Sequence, residues 1–113
     1  MTNLERSLIV EHIVARATNL IVIDCRCAEG TIPIGTLFRT VYRHLRPRSN
    51  ADYLKSWDRH SVRHVSLRLE KIVAYSHDLP EMDPGLTGRA SFVGIGAELI
   101  RDGDILVDDE RTY

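Results

Sequence analysis

The chain has 113 residues, of which 43% are hydrophobic and 27% are charged, and its formal net charge is −1. This length supports one hydrophobic core rather than two, so any function must fit on a single domain. The polar opening segment, residues 1–7, and the lack of a run of ~20 apolar residues argue against a signal peptide and a membrane-spanning helix. We therefore expect one soluble, cytoplasmic domain that does not bind a membrane.

Strand-forming segments dominate the sequence. Runs rich in Val, Ile, Leu, Thr and aromatic residues, each bounded by turn-forming residues, predict strands over residues 8–15, 20–27, 36–43, 62–75 and 89–94. Apolar and polar residues alternate most clearly over residues 65–69, as in an antiparallel strand with one buried face. Short strands separated by frequent turns favour a barrel or a sandwich.

The strand pattern fails over residues 45–61, which we interpret as an insertion. Residues 46–50 have the composition of a loop, and residues 51–59 could form a short helix capped by Asn50. A second loop is predicted over residues 78–88, and residues 108–113 are predicted to form an acidic C-terminal tail. The expected architecture is a single all-β barrel of about six or seven strands over residues 1–113, with at most one short helix.

The two cysteines, Cys25 and Cys27, lie two residues apart in a predicted strand. This spacing points both thiols to the same face but suits a disulfide between them poorly. One CxC pair without a second pair is a weak signal for zinc, which prefers four ligands. We expect two buried or half-buried thiols in a reducing compartment, with no bound metal.

Two glycine-containing blocks resemble the second, β-barrel domain of elongation factor Tu-like translation factors. The first, IDCRCAEGTIPIGTLF from Ile23, matches the strand-turn-strand spacing of that domain at Cys27, Gly30, Ile32, Gly35 and Leu37. The second, LTGRASFVGIGAELIRDGDIL from Leu86, matches its glycine-bounded strand and its closing "I-x-x-G-D-I/V-L" pattern. The resemblance spans roughly residues 20–107 and implies a barrel fold. The matched positions are structural and carry no catalysis.

Two departures from that family bear on function. The chain contains no GxxxxGK[ST] phosphate-binding loop, so it is not expected to hydrolyse GTP by itself. In the family, an acidic residue on the strand corresponding to residues 72–76 helps to hold the 3′ end of aminoacyl-tRNA. This chain has Ile-Val-Ala-Tyr-Ser there, so the resemblance does not carry that pocket over.

The residues offer little support for catalysis or a cofactor. His60 and His64 have the i, i+4 spacing of some zinc sites, but no Glu follows His60, and a strand would separate the two rings. Ser91 and Cys25 fall inside predicted strands rather than in a sharp glycine-flanked turn, and no GxSxG motif occurs. We therefore expect a non-enzymatic protein with no catalytic residues and no cofactor.

Charge is distributed unevenly along the chain. Residues 39–68 contain eight bases and two acids, with aromatic residues interleaved. Guanidinium groups pair with phosphates and exposed rings stack on unpaired bases, so this stretch is a candidate RNA-binding surface. Alternatively, Phe38 and Tyr42 belong to the core and Trp57 anchors the insertion. The candidate nucleic-acid-binding residues are Arg39, Arg43, Arg46, Arg48, Lys55, Trp57 and Arg59.

The end of the chain is acidic, and this favours a different class of function. An acidic surface suits docking onto a basic protein, as in an immunity protein that neutralises a toxin. The candidate protein-binding residues are Asp104, Asp108, Asp109 and Glu110. The possible partners are thus RNA or a translation component through the basic stretch, or a protein such as a toxin through the acidic residues.

Overall fold

The computed structural model describes residues 5–44 and 59–109, and most of them lie in strands. A 3-10 helix, Ala97–Leu99, is the one helical element in these ranges. The strands are β1 (Glu5–Ala17), β2 (Leu20–Glu29), β3 (Ile32–Pro33), β4 (Leu37–His44), β5 (Arg59–Ala74), β6 (His77–Asp78), β7 (Glu81–Met82), β8 (Thr87–Ile95) and β9 (Ile105–Asp109). Within these ranges, no helix is long and apolar enough to cross a membrane.

Six antiparallel strands close into a barrel. The order around the barrel is β4-β9-β1-β2-β8-β5, and pairing between β4 and β5 completes the circle. β6 extends the sheet beyond β5, while β3 and β7 form a separate two-stranded ladder with Ile32 opposite Met82. The predicted all-β barrel of six or seven strands is therefore confirmed.

The core fills the interior of this barrel because inward-facing residues alternate along each strand. On β2, for example, Ile21, Ile23, Cys25 and Cys27 are all buried. The rings of Phe38 on β4 and Phe92 on β8 meet edge to face, with centroids 5.7 Å apart. Phe38 therefore belongs to the core, as the alternative interpretation of the aromatic residues held. Tyr42 is also buried, at 7% exposed, but it packs in a separate cluster with Ile105 and Val107 of β9.

Gly94 is required where β5 and β8 approach each other closely. Its φ of 141° is unfavourable for other residues, and a Cβ atom there would lie 1.9 Å from the carbonyl oxygen of Ser66. Gly103 also has a positive φ, of 88°, but a Cβ there would meet no atom within 4 Å. One glycine is thus fixed by packing and the other by turn conformation alone.

Two differences between the predicted and the observed element boundaries concern candidate site residues. β9 continues to Asp109, with Arg6 of β1 paired with Asp108 and Glu5 paired with Asp109. Residues 108 and 109 therefore lie in a strand and not in a tail, because pairing with β1 extends the sheet past the last apolar residue. β5 begins at Arg59, so the predicted insertion is shorter at its end. The helix predicted over residues 51–59 falls almost entirely outside the described residues.

Candidate nucleic-acid interface

The two ends of the insertion are held side by side in the β4–β5 ladder. His44 at the end of β4 pairs with Arg59 at the start of β5, and Arg43 pairs with His60. Residues 45–58 therefore connect two neighbouring strands. Of the candidate RNA-binding residues, Arg46, Arg48, Lys55 and Trp57 lie outside the described residues, and Arg59 is described only as part of β5.

Basic side chains lie on the outer face of β4 and β5, from the middle of the ladder to the end opposite this connection. Arg39 on β4 is exposed, and it makes no ion pair or hydrogen bond to any other residue in the described ranges. His64 and Arg68 on β5 are exposed beside it, in the ladder pairs Thr40–His64 and Leu37–Arg68. The Nε atom of Arg68 lies 3.1 Å from a carboxylate oxygen of Glu70 on the same strand. Of these three residues, Arg39 was predicted to bind RNA, whereas Arg68 was counted only as one base of the residue 39–68 stretch and His64 was not predicted to bind RNA.

The guanidinium group of Arg43 is bound to other residues of the chain. Its Nε atom lies 3.1 Å from Oδ1 of Asp104, and its Nη2 atom donates a hydrogen bond to the carbonyl oxygen of Asp102 at 2.8 Å. The side chain is still 45% exposed. Arg43 therefore ties β4 to the turn before β9, and only part of its guanidinium group faces solvent.

Asp104 is the centre of that network. Its side chain is fully buried and accepts two hydrogen bonds from the guanidinium group of Arg63, at 2.9 and 3.0 Å. The backbone N–H of Arg101 donates a third hydrogen bond at 2.7 Å. Asp104 therefore joins β4, β5 and the turn before β9.

The expectation that Asp104 lies on an exposed acidic surface is wrong, because its carboxylate is buried and hydrogen-bonded to Arg63 and Arg101. The sequence contains a signal for its partner. Arg63 occupies the same alternating position on β5 as Val65, Leu67 and Leu69, which are buried. A charged residue at an inward position needs a buried partner of opposite charge.

The remaining candidate protein-binding residues do not gather into one described surface. Asp108 is half-buried, and its Oδ2 atom lies 3.0 Å from Nη1 of Arg6. Asp109 is described only as part of β9, and Glu110 lies outside the described residues. The negative charge of Asp108 is therefore already neutralised in part by Arg6.

Both cysteine thiols are free and buried. Burial, helped by the nearby carboxylate of Asp24, raises the pKa of Cys25 to about 12. Burial, helped by Asp83, raises the pKa of Cys27 to about 11. The reactive thiolate form is therefore scarce at neutral pH for both residues. The two thiols face the same side, as the spacing predicted.

The described residues do not assemble a metal centre. Within residues 5–44 and 59–109, no group of three or more His, Cys, Asp or Glu side chains could hold a metal ion. His60 and His64 both lie on β5, and His64 is exposed. What the described chemistry offers is exposed cations on the outer face of a barrel.

This barrel is similar to part of a known structure. It matches translation elongation factor SelB from Methanococcus maripaludis, both in its apo form and in complex with the GTP analogue GppNHp. In each case the TM-score is 0.66 at 13% sequence identity, and the match covers 95% of this chain. This barrel has the fold of a translation elongation factor domain.

The match covers 19% of the length of the SelB chain, so it concerns one domain of a much longer protein. No known protein family and no curated protein matches the sequence. The translation-factor fold expected from the two glycine-containing blocks is therefore established by structure rather than by sequence similarity.

Proposed function

We propose that this translation-factor barrel is a non-enzymatic, cytoplasmic binding module that contacts RNA or an RNA-bearing component of the translation machinery. The contact surface is the outer face of β4 and β5 together with the insertion that joins these strands. We call it the basic face, and its residues are Arg39, Arg43, Arg46, Arg48, Lys55, Trp57, Arg59, His64 and Arg68.

The state of Arg39 supports this proposal most strongly. Other arginines of the described ranges, such as Arg43, Arg63 and Arg89, are tied to carboxylates of the same chain. Arg39 is exposed without such a partner in those ranges, so its charge remains available to an external anion. Phosphate groups accept charge-assisted hydrogen bonds from exposed guanidinium groups such as that of Arg39.

The position of the insertion adds to the argument. Its two ends are adjacent in the β4–β5 ladder, on the same pair of strands that carries Arg39 and Arg68. Three further cations and the one tryptophan of the chain therefore branch from the strands that bear the described cations. Cations combined with an aromatic ring are typical of surfaces that bind single-stranded RNA.

The test is a binding measurement with the full chain and two RNAs, a short single-stranded oligonucleotide and a tRNA. The variant Arg39→Gln/Arg46→Gln/Arg48→Gln removes three charges, and its matched control, with Lys at the same three positions, retains them. The proposal expects weaker binding by the Gln variant to both RNAs and near-normal binding by the Lys control. Equal binding by the two variants, or no binding by the unaltered protein, contradicts it.

The competing proposal, a protein inhibitor such as an immunity protein, rests on the acidic residues and no longer includes Asp104. A stable complex with a basic protein that persists in the Gln variant would favour it over RNA binding.

A further inference from the structure

An apolar patch lies on the outer face of β1, β2 and β8, close to the turn that joins β1 to β2. Inward positions on β2 and β8 are taken by buried residues such as Ile21 and Phe92, so their neighbours Leu20 and Val93 point outward. The ladder places Ala17, Leu20 and Val93 side by side in one row. We call this surface the outer patch, and its residues are Ala15, Ala17, Leu20, Val22, Val93 and Ile95.

The outer patch is open to solvent in the described part of the chain. Ile95, at the same alternating position of β8 as Val93, is 71% exposed, and Leu20 is 38% exposed. Single exposed hydrophobic residues are normal on a soluble protein, but here they lie together on neighbouring, hydrogen-bonded strands. A contiguous apolar patch with a polar border is typical of a protein docking surface.

Cations border the outer patch on the side of β5. Arg68 pairs with Val93, and Lys71 pairs with Ser91, which itself pairs with Val22. Both cationic side chains are exposed. The border on β5 therefore continues the same ladder rows that contain the apolar residues.

The carboxylates near the outer patch are already paired. Asp24 on β2 accepts hydrogen bonds from the guanidinium group of Arg89 at 2.9 and 3.4 Å. A carboxylate oxygen of Glu70 lies 3.1 Å from Nε of Arg68. Lys71 makes no ion pair with any residue of the described ranges, so the border carries a surplus positive charge. A partner that covers this border must bring a carboxylate, because burying an unpaired ammonium group is costly.

We propose that the outer patch docks a second protein, whose contacting segment combines aliphatic side chains with at least one Asp or Glu. The aliphatic side chains pack on Leu20 and Ile95, and the carboxylate pairs with Lys71. This interaction is separate from RNA binding, because the basic face lies on β4 and β5.

Two other occupants match the outer patch less well. In a symmetric dimer, a second copy of this chain would present the same patch, whose bordering carboxylates are tied to arginines, and Lys71 would stay unpaired. An RNA phosphate would pair with Lys71 but would leave Leu20 and Ile95 without apolar contacts. Only an acidic, apolar protein segment satisfies both parts of this surface.

Peptide selection tests the outer patch. A phage-displayed library of random peptides is selected on the immobilised full chain, and the enriched peptides are measured in solution against variants. We expect enriched sequences in which aliphatic residues lie next to Asp or Glu. Ile95→Ser and Leu20→Ser should each weaken binding of these peptides by about tenfold or more. Lys71→Gln should weaken binding and make it less dependent on salt.

The matched control is Ile34→Ser, which removes an aliphatic side chain that is 40% exposed and lies outside the outer patch. It should bind the peptides normally. Ile95→Ser should melt close to the temperature of the unaltered protein, because the side chain that it removes is mostly exposed. It should also bind RNA as the unaltered protein does.

Several results would overturn the proposal. They are the enrichment of no peptide, the enrichment of peptides without acidic residues, and equal peptide binding by Ile95→Ser and Ile34→Ser. A dimer in analytical ultracentrifugation that Ile95→Ser abolishes would instead assign the outer patch to a second copy of this chain. Loss of RNA binding in a folded Ile95→Ser variant would assign it to RNA.

Discussion

The guanidinium group of Arg63 donates two hydrogen bonds, of 2.9 and 3.0 Å, to the buried carboxylate of Asp104. The two residues are 41 positions apart in the sequence. Their pairing fixes the start of β5 to the turn before β9, and Arg43 joins the same carboxylate from β4. Three elements at one end of the barrel thus depend on a single carboxylate.

Removal of that carboxylate should destabilise the barrel strongly. Asp104→Ala leaves the partly buried guanidinium group of Arg63 without its partner, and breaking a buried pair in this way typically costs about 3–5 kcal/mol. Arg43→Gln should cost less, because its side chain is 45% exposed and Arg63 still satisfies Asp104. Urea unfolding of both variants measures the difference, and equal losses would contradict the central role of the Arg63–Asp104 pair.

Gly94 and Gly103 should respond differently to replacement by Ala. Gly94→Ala brings a methyl group against the carbonyl oxygen of Ser66, so we expect a loss of about 3 kcal/mol or more, or failure to fold. Gly103→Ala meets open space and pays only for its backbone conformation, about 1 kcal/mol. Thermal unfolding ranks them, and a smaller loss for Gly94→Ala than for Gly103→Ala would refute the close approach of β5 and β8.

Stability should fall at alkaline pH because of Cys25. In the unfolded chain this thiol ionises near its ordinary value of 9.0, whereas in the folded barrel its pKa is about 12. The unfolded state therefore loses the proton first, and the free energy of unfolding decreases as the pH rises above about 9. Between pH 8 and pH 10 this thiol should contribute a loss of about 1.4 kcal/mol.

The matched control for the pH effect is Cys25→Ala, in which that contribution is absent. Urea unfolding at both pH values should show a smaller alkaline loss in Cys25→Ala than in the unaltered protein. The same alkaline loss in both proteins would show that Cys25 is not protected from ionisation by the fold.

Local patterns in the sequence predicted the barrel but not its ionic network. Alternation over residues 65–69 and the turn glycines reflect neighbours along the chain, and the structure confirms the strands that they indicated. Asp104 gave no such local sign, because its partners Arg43 and Arg63 come from distant strands. Its position within an acidic stretch made it look like a surface residue.

The exposed turn at Tyr75 was also beyond prediction from the sequence. Residues 62–75 were predicted as one strand, and β5 indeed ends at Ala74. The turn itself lacks the Asn-Gly or Asp-Gly pair that normally marks a type I′ hairpin. Only the backbone angles of Tyr75 and Ser76 reveal it.

Chemical-shift mapping by NMR tests the basic face most directly. Titration of the isotope-labelled full chain with a short single-stranded RNA should shift backbone amides of Arg39, His64 and Arg68 on β4 and β5. Shifts confined to β1 and β9, around Arg6 and Asp108, or no shifts at saturating RNA, would contradict the proposal that this barrel binds RNA through its basic face.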